Sequence, residues 1–147
     1  CIKALEQLVI NIGATPISEI ITAAQDLSRN STKLIGGFPL PDFKSDPVIH
    51  TKGNLALAII TNCLLLISSE LEKIESVHGI MLEIKENSES VELIFLASDL
   101  TKDSILLLFN SLNKLITTQL PSLKVTCKDA ALVLTFKTIS KTSINKK

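Results

Sequence analysis

Apolar positions along this chain fall first into helical stripes and later into alternating runs. Ile2, Leu5, Leu8, Val9 and Ile12 share one face of a short helix stopped by Gly13. Thr15-Pro16 reads as an N-cap followed by proline at the first helical position. Ile17, Ile20, Ile21, Ala24 and Leu27 carry the next stripe to about Arg29, where Asn30-Ser31 ends it. Residues 32–38 read as a weak strand interrupted by Gly36-Gly37, and Pro39, Pro41 and Pro47 impose an extended loop.

Asp46-Pro47 repeats the cap-then-proline device and opens the longest helix. Leu55, Ile59, Asn62 and Leu66, with Leu57, Ile60, Cys63 and Ile67, make it apolar almost all round, with Asn62 turned inward. The run 55–68 falls short of the ~20 residues a membrane span needs and holds Thr61 and Asn62, so it reads as a core helix. Alternation then takes over. Ile80, Leu82 and Ile84 face one way and Glu83 and Lys85 the other, so 80–86 and 91–97 form a hairpin. A helix over 103–119 presents Ile105, Leu108, Phe109, Leu112, Leu115 and Ile116, and Pro121 separates it from a second hairpin, 123–128 with 130–139. The pattern predicts a two-layer α/β (α+β) sandwich, a mixed sheet of about five strands packed under about three helices. Residues 1–13 read as the end of an upstream helix or linker, 14–139 as one domain and 140–147 as a polar tail.

Composition removes function classes more than it adds them. Fifteen basic residues balance fifteen acidic ones, so no bulk field attracts nucleic acid or an anionic membrane. Arg29 is the single arginine, and Tyr and Trp are absent, which argues against base stacking and arginine forks on phosphate. Cys1, Cys63 and Cys127 are too widely spaced for a metal-ligand pair or a disulfide framework, and point to a reducing, cytoplasmic setting. No Ser-His-Asp set, carboxylate pair or Walker loop is legible in the sequence.

The order of elements resembles the ATP-binding (GHKL) domain of sensor histidine kinases. In that family a helix and a strand lead to an Asp-Pro before the long helix; here 16–29, 32–38 and Asp46-Pro47 stand in those places. Thr61-Asn62-Cys63-Leu64 lies where the magnesium-binding Asn falls, and Asp99 where the adenine-receiving Asp ends the second strand. The resemblance implies a bacterial two-component or phosphorelay role. It also implies a degenerate site: Leu64-Leu65-Leu66-Ile67 follow Asn62, Leu100-Thr101-Lys102-Asp103 follow Asp99, and 100–110 contain no glycine for a phosphate-binding turn. The domain is thus similar to the non-ATP-binding C-terminal domains of histidine phosphotransferases. It is expected to be a non-catalytic pseudoenzyme with no cofactor, neither ATP nor magnesium, and no metal.

Two residues are candidates for a vestigial nucleotide site. Asn62 is read either as a former magnesium ligand or as a buried Asn bonded to a neighbouring backbone group. Asp99 is read either as the adenine carboxylate or as the cap of the following helix. His50 and His78 read as surface residues, His50 being the better phosphorelay candidate because it stands near a helix start. The expected partner is a protein, a kinase dimerisation domain or a response regulator, with homodimerisation admitted and no nucleic acid or membrane engaged by this segment. The alternative is a small α/β adaptor or secretion-chaperone-like module that binds partner segments.

Overall fold

The computed structural model of the protein describes residues 15–43, 47–49, 53–119, 123–128 and 131–138. In chain order the elements are β1 (Thr15–Pro16), α1 (Ile17–Leu34), β2 (Val48–Ile49), α2 (Gly53–Lys73), β3 (Met81–Glu86), β4 (Ser90–Leu96), α3 (Lys102–Gln119), β5 (Lys124–Lys128) and β6 (Ala131–Lys137). Three helices lie over a four-stranded sheet of order β3-β4-β6-β5, so the chain is a two-layer α+β fold.

The register shows which sheet face meets the helices. Leu82 pairs with Phe95 and Phe95 with Leu132; Ile84 pairs with Leu93 and Leu93 with Leu134; Val91 pairs with Phe136. All of these belong to the core, together with Ile17, Ile20, Ile21 and Ala24 of α1 and Ile60, Cys63, Leu64 and Ile67 of α2. The intervening positions form the opposite face, where Met81, Glu83 and Lys85 are exposed. Both hairpins therefore form where the sequence places them, although Ala131 and Val133 on the opposite face of β6 are buried too. Phe38 reaches the same core from the loop after α1, its ring stacked on Phe95 at 6.4 Å between centroids, while Gln25 Nε2 donates to the Phe38 carbonyl at 2.8 Å.

Four expectations are corrected. The sheet described is antiparallel throughout and has four strands, where a mixed sheet of about five was expected. No strand forms at 32–38, because α1 runs on past Asn30-Ser31 to Leu34. The polar residues there do not break the helix: Ser28 Oγ donates to the Ala24 carbonyl at 2.7 Å and Thr32 Oγ1 to the Arg29 carbonyl at 3.3 Å, so each is satisfied inside α1 while buried.

Neither Pro16 nor Pro47 sits at the first position of a helix. Thr15-Pro16 is extended and pairs antiparallel with Val48–Ile49 as β1 with β2, and the first amide of α1, Ile17 N–H, donates to the Pro47 carbonyl at 2.9 Å. That backbone bond replaces the side-chain cap expected from Thr15. The central helix begins only at Gly53, and Ile49 also bridges Thr138 beyond β6, which ties β2 to the end of the main sheet. Asp46, His50, the stripe at 2–12 and the tail from Ser140 lie outside the described residues.

Asn62 is exposed on α2, not inward. Ala56, Leu57, Ile59, Ile60, Cys63, Leu64, Ile67 and Leu71 are buried, whereas Ala58, Asn62, Leu65 and Ser69 face out at three- and four-residue spacing. Hydrophobicity alone hardly sets the phase of so apolar a helix, since turning Leu65 in or out costs little more than turning a neighbour. The amide decides it, because burying it unpaired costs a few kcal/mol. Residues 55–73 are long and apolar enough to cross a membrane by length and composition, and half of that window is buried inside the fold.

α1 and α2 end in the same way and then cross. Gly37 N–H donates to the Thr32 carbonyl at 2.7 Å with Gly36 at φ 107°, and Ser76 N–H donates to the Leu71 carbonyl at 3.0 Å with Glu75 at φ 55°. Each is a Schellman-type closure, the first on glycine and the second on an ordinary residue. The two exits are joined by Gly79 N–H to the Ile35 carbonyl at 2.7 Å and Ile80 N–H to the Gly37 carbonyl at 3.0 Å. A Cβ on Gly36 would stand 2.2 Å from the Val77 carbonyl oxygen, whereas one on Gly37 would meet nothing within 4 Å. Gly37→Ala is therefore expected to cost only its left-handed backbone, about 1–2 kcal/mol. Gly36→Ala must also separate two backbones and is expected to cost at least about 3 kcal/mol. Urea denaturation of the two variants checks the difference.

Candidate functional site

The crossing delivers three polar side chains to one place. Ser76 is placed by the closure of α2, His78 lies between it and Gly79, and Asp99 follows the last buried residue of β4's exit, Ala97. Asp99 Oδ2 accepts from Ser76 Oγ at 2.5 Å and lies 2.6 Å from His78 Nδ1, and the His78 backbone N–H donates to Ser76 Oγ at 3.3 Å. A carboxylate only accepts, so in this contact the proton lies on His78 Nδ1. The Ser76 hydroxyl, and then the His78 ring, hold the Asp99 carboxyl below the ordinary carboxylate range.

This is a Ser-His-Asp set by composition, although none was legible in the sequence. It is not wired as a hydrolytic relay. In such a relay the serine hydroxyl donates to the histidine nitrogen that the aspartate does not touch. Here both Ser76 and His78 donate to the same carboxylate oxygen, so Ser76 has no base to take its proton. What remains chemically is an imidazole ring oriented by a carboxylate, on a side chain that is 70% exposed.

Asp99 is accordingly neither a free adenine acceptor nor the cap of α3. The cap is Thr101, whose Oγ1 accepts from Ser104 N–H at 3.2 Å and donates to Ser104 Oγ at 3.1 Å. Leu100 N–H turns back to the Ala97 carbonyl at 2.9 Å, so β4 passes into α3 through one tight turn. Asn62 is not brought to Asp99: it sits on the exposed side of α2, about three turns before the helix end from which Ser76 departs. The two candidate residues do not share a site.

Among the described residues no group of three or more His, Cys, Asp or Glu side chains is placed to hold a metal ion. Cys63 is fully buried and its thiol is pushed far above its usual range by burial, which makes it an inert part of the core. Comparison with known protein families and with characterised proteins finds no match to this chain.

Two outcomes test this junction. Thr101→Ala is expected to destabilise the fold by about 1 kcal/mol, the usual worth of a threonine cap. Because the Asp99 carboxyl is held low in the folded state, its contribution is present above the unfolded value near pH ~3.9 and is lost as pH falls through the folded value. Asp99→Asn should therefore be less stable than the parent at pH 7, with the difference closing as pH falls through the folded value. Chemical denaturation across that range reads the convergence.

Proposed function

We propose that this chain is a non-catalytic, histidine-kinase-like domain of two-component or phosphorelay signalling, which acts by docking to a kinase dimerisation region or a response regulator. Its support is the order of elements, with a helix, a long helix, a hairpin, a helix and a second hairpin, taken with one observation at the β4–α3 junction. There the carboxylate that would receive an adenine amine is engaged by Ser76 and His78, and α3 starts immediately on its Thr101 cap. The junction has neither the glycine nor the length to bring backbone amides to a polyphosphate. A docking role needs none of these groups.

A second reading, a small α/β adaptor or secretion-chaperone-like module, is favoured by the antiparallel sheet, since the kinase-type fold carries a mixed one. Leu106 and Leu107, adjacent and exposed on α3, suit either reading as contact residues. Thermal unfolding in the presence of magnesium and rising ATP is expected to show no shift. A clear shift that disappears in Asn62→Ala would overturn the non-catalytic reading. Binding of a receiver domain, followed by calorimetry, separates the signalling role from the adaptor role.

A further inference from the structure

We propose that the outer face of the sheet is a docking site for an amphipathic helix, and that this chain fills it with its own residues 2–12. The inference is independent of the signalling role.

Three observations lead there. First, part of that face is covered. One row of cross-strand partners on it is Met81, Leu96 and Ala131, and in the next row Ile94 pairs with Val133. Val133 is 2% exposed and Ala131 4%. Side chains stand perpendicular to a sheet, so strand neighbours flank one another and leave the outward end open. Burial of Val133 to this degree needs a layer on top of it.

Second, that layer is none of the three helices. The buried apolar side chains of α1, α2 and α3 all belong to the core on the inner face. Among the described residues, Ala131 and Val133 are the two buried apolar side chains outside that core, with Ile94 and Leu96 half-buried beside them.

Third, one other segment of the chain can supply the layer. The undescribed stretches inside the chain are three residues or fewer, and 139–147 holds only Ile139 and Ile144 among Ser, Thr, Asn and Lys. Residues 2–12 place Ile2, Leu5, Leu8, Val9 and Ile12 on one helical face. They also join the fold at the right point. Thr15 pairs with Ile49, which bridges Thr138 just beyond β6, at the end of the outer face that carries Glu92 and Lys137. From Thr138 back to Ala131 the strand covers roughly 23 Å. A helix over 2–12 spans about 16 Å and the Gly13-Ala14 link about 7 Å, so Leu5 and Ile2 reach Val133 and Ala131. With this face closed in cis, a protein partner either meets the helical side, where Leu106 and Leu107 are exposed, or displaces the segment.

The test uses the whole chain with Cys1→Ser and Cys127→Ser, which leaves the buried Cys63 as the one native thiol. Val133→Cys in that background reports the outer face. Its reaction with a maleimide is expected to be slow, and to quicken by roughly tenfold or more when Leu5→Asp and Leu8→Asp spoil the stripe, as a covered site does once it opens. Gln7→Asp, on the opposite side of the helix, should leave it slow. Cys63 should stay unreactive throughout, which shows an intact core. Leu5→Cys combined with Val133→Cys should be joined within one chain by a short bismaleimide. Fast labelling of Val133→Cys from the outset, or no response to the stripe variants, overturns the proposal. So do crosslinks formed only between chains, which make the occupant a second copy. If Cys63 also opens in the Asp variants, the crosslink alone decides.

Discussion

The constraint on which the rest depends is the contact of two helix exits, where Gly36 and Gly79 bring backbone against backbone. It is a hydrogen-bonded crossing, Gly79 N–H to Ile35 and Ile80 N–H to Gly37, with no room for a Cβ at either glycine. Because α1 and α2 must both end at that point, their lengths and relative slide are set there as much as by their apolar faces. The same contact starts β3, since Ile80 enters the core directly from it. The sheet's first strand, and through the hairpin its second, are thereby placed beneath the helix pair. Asp99 then returns from β4 to the crossing and bonds both Ser76 and His78, so that one locus joins the helical layer to the sheet.

How much of this was legible follows from where the determining forces lie. The first hairpin is written in period-two alternation, Leu82 and Ile84 against Glu83 and Lys85, and register follows once one face is buried. α3 was legible for the same reason, at its own period. The end of α1 was not, because Asn30, Ser31 and Thr32 favour caps and turns in isolation, and it is the burial of Ser28 and Thr32 with back-bonded hydroxyls that keeps the helix going. Thr15 and Pro16 misled because a cap and a β-bridge use the same residues; the partner strand, with pairs 32 and 34 positions apart, decided between them.

The candidate site was the least legible part. Asn62 and Asp99 were marked by position in a resemblance, and the structure separates them. Ser76 and His78 stand 23 and 21 positions from Asp99 across the hairpin, and each has an ordinary explanation alone. The one available signal was glycine: Gly36-Gly37 and Gly79 are three of only five glycines in the chain, and all three have positive φ. Glycines needed for close approach mark where loops meet, and a Ser-x-His-Gly run beside one of them was worth pairing with the next carboxylate.

The sheet's edges carry a different consequence. β3 and β5 are its outer strands, and Glu83, Lys85 and Glu86 stand exposed on the first while Lys124 stands exposed on the second. Mixed charges on an outer strand repel a second sheet that tries to extend the ladder. Such charges on both outer strands weigh against edge-to-edge association, even though nearly half of the residues are hydrophobic.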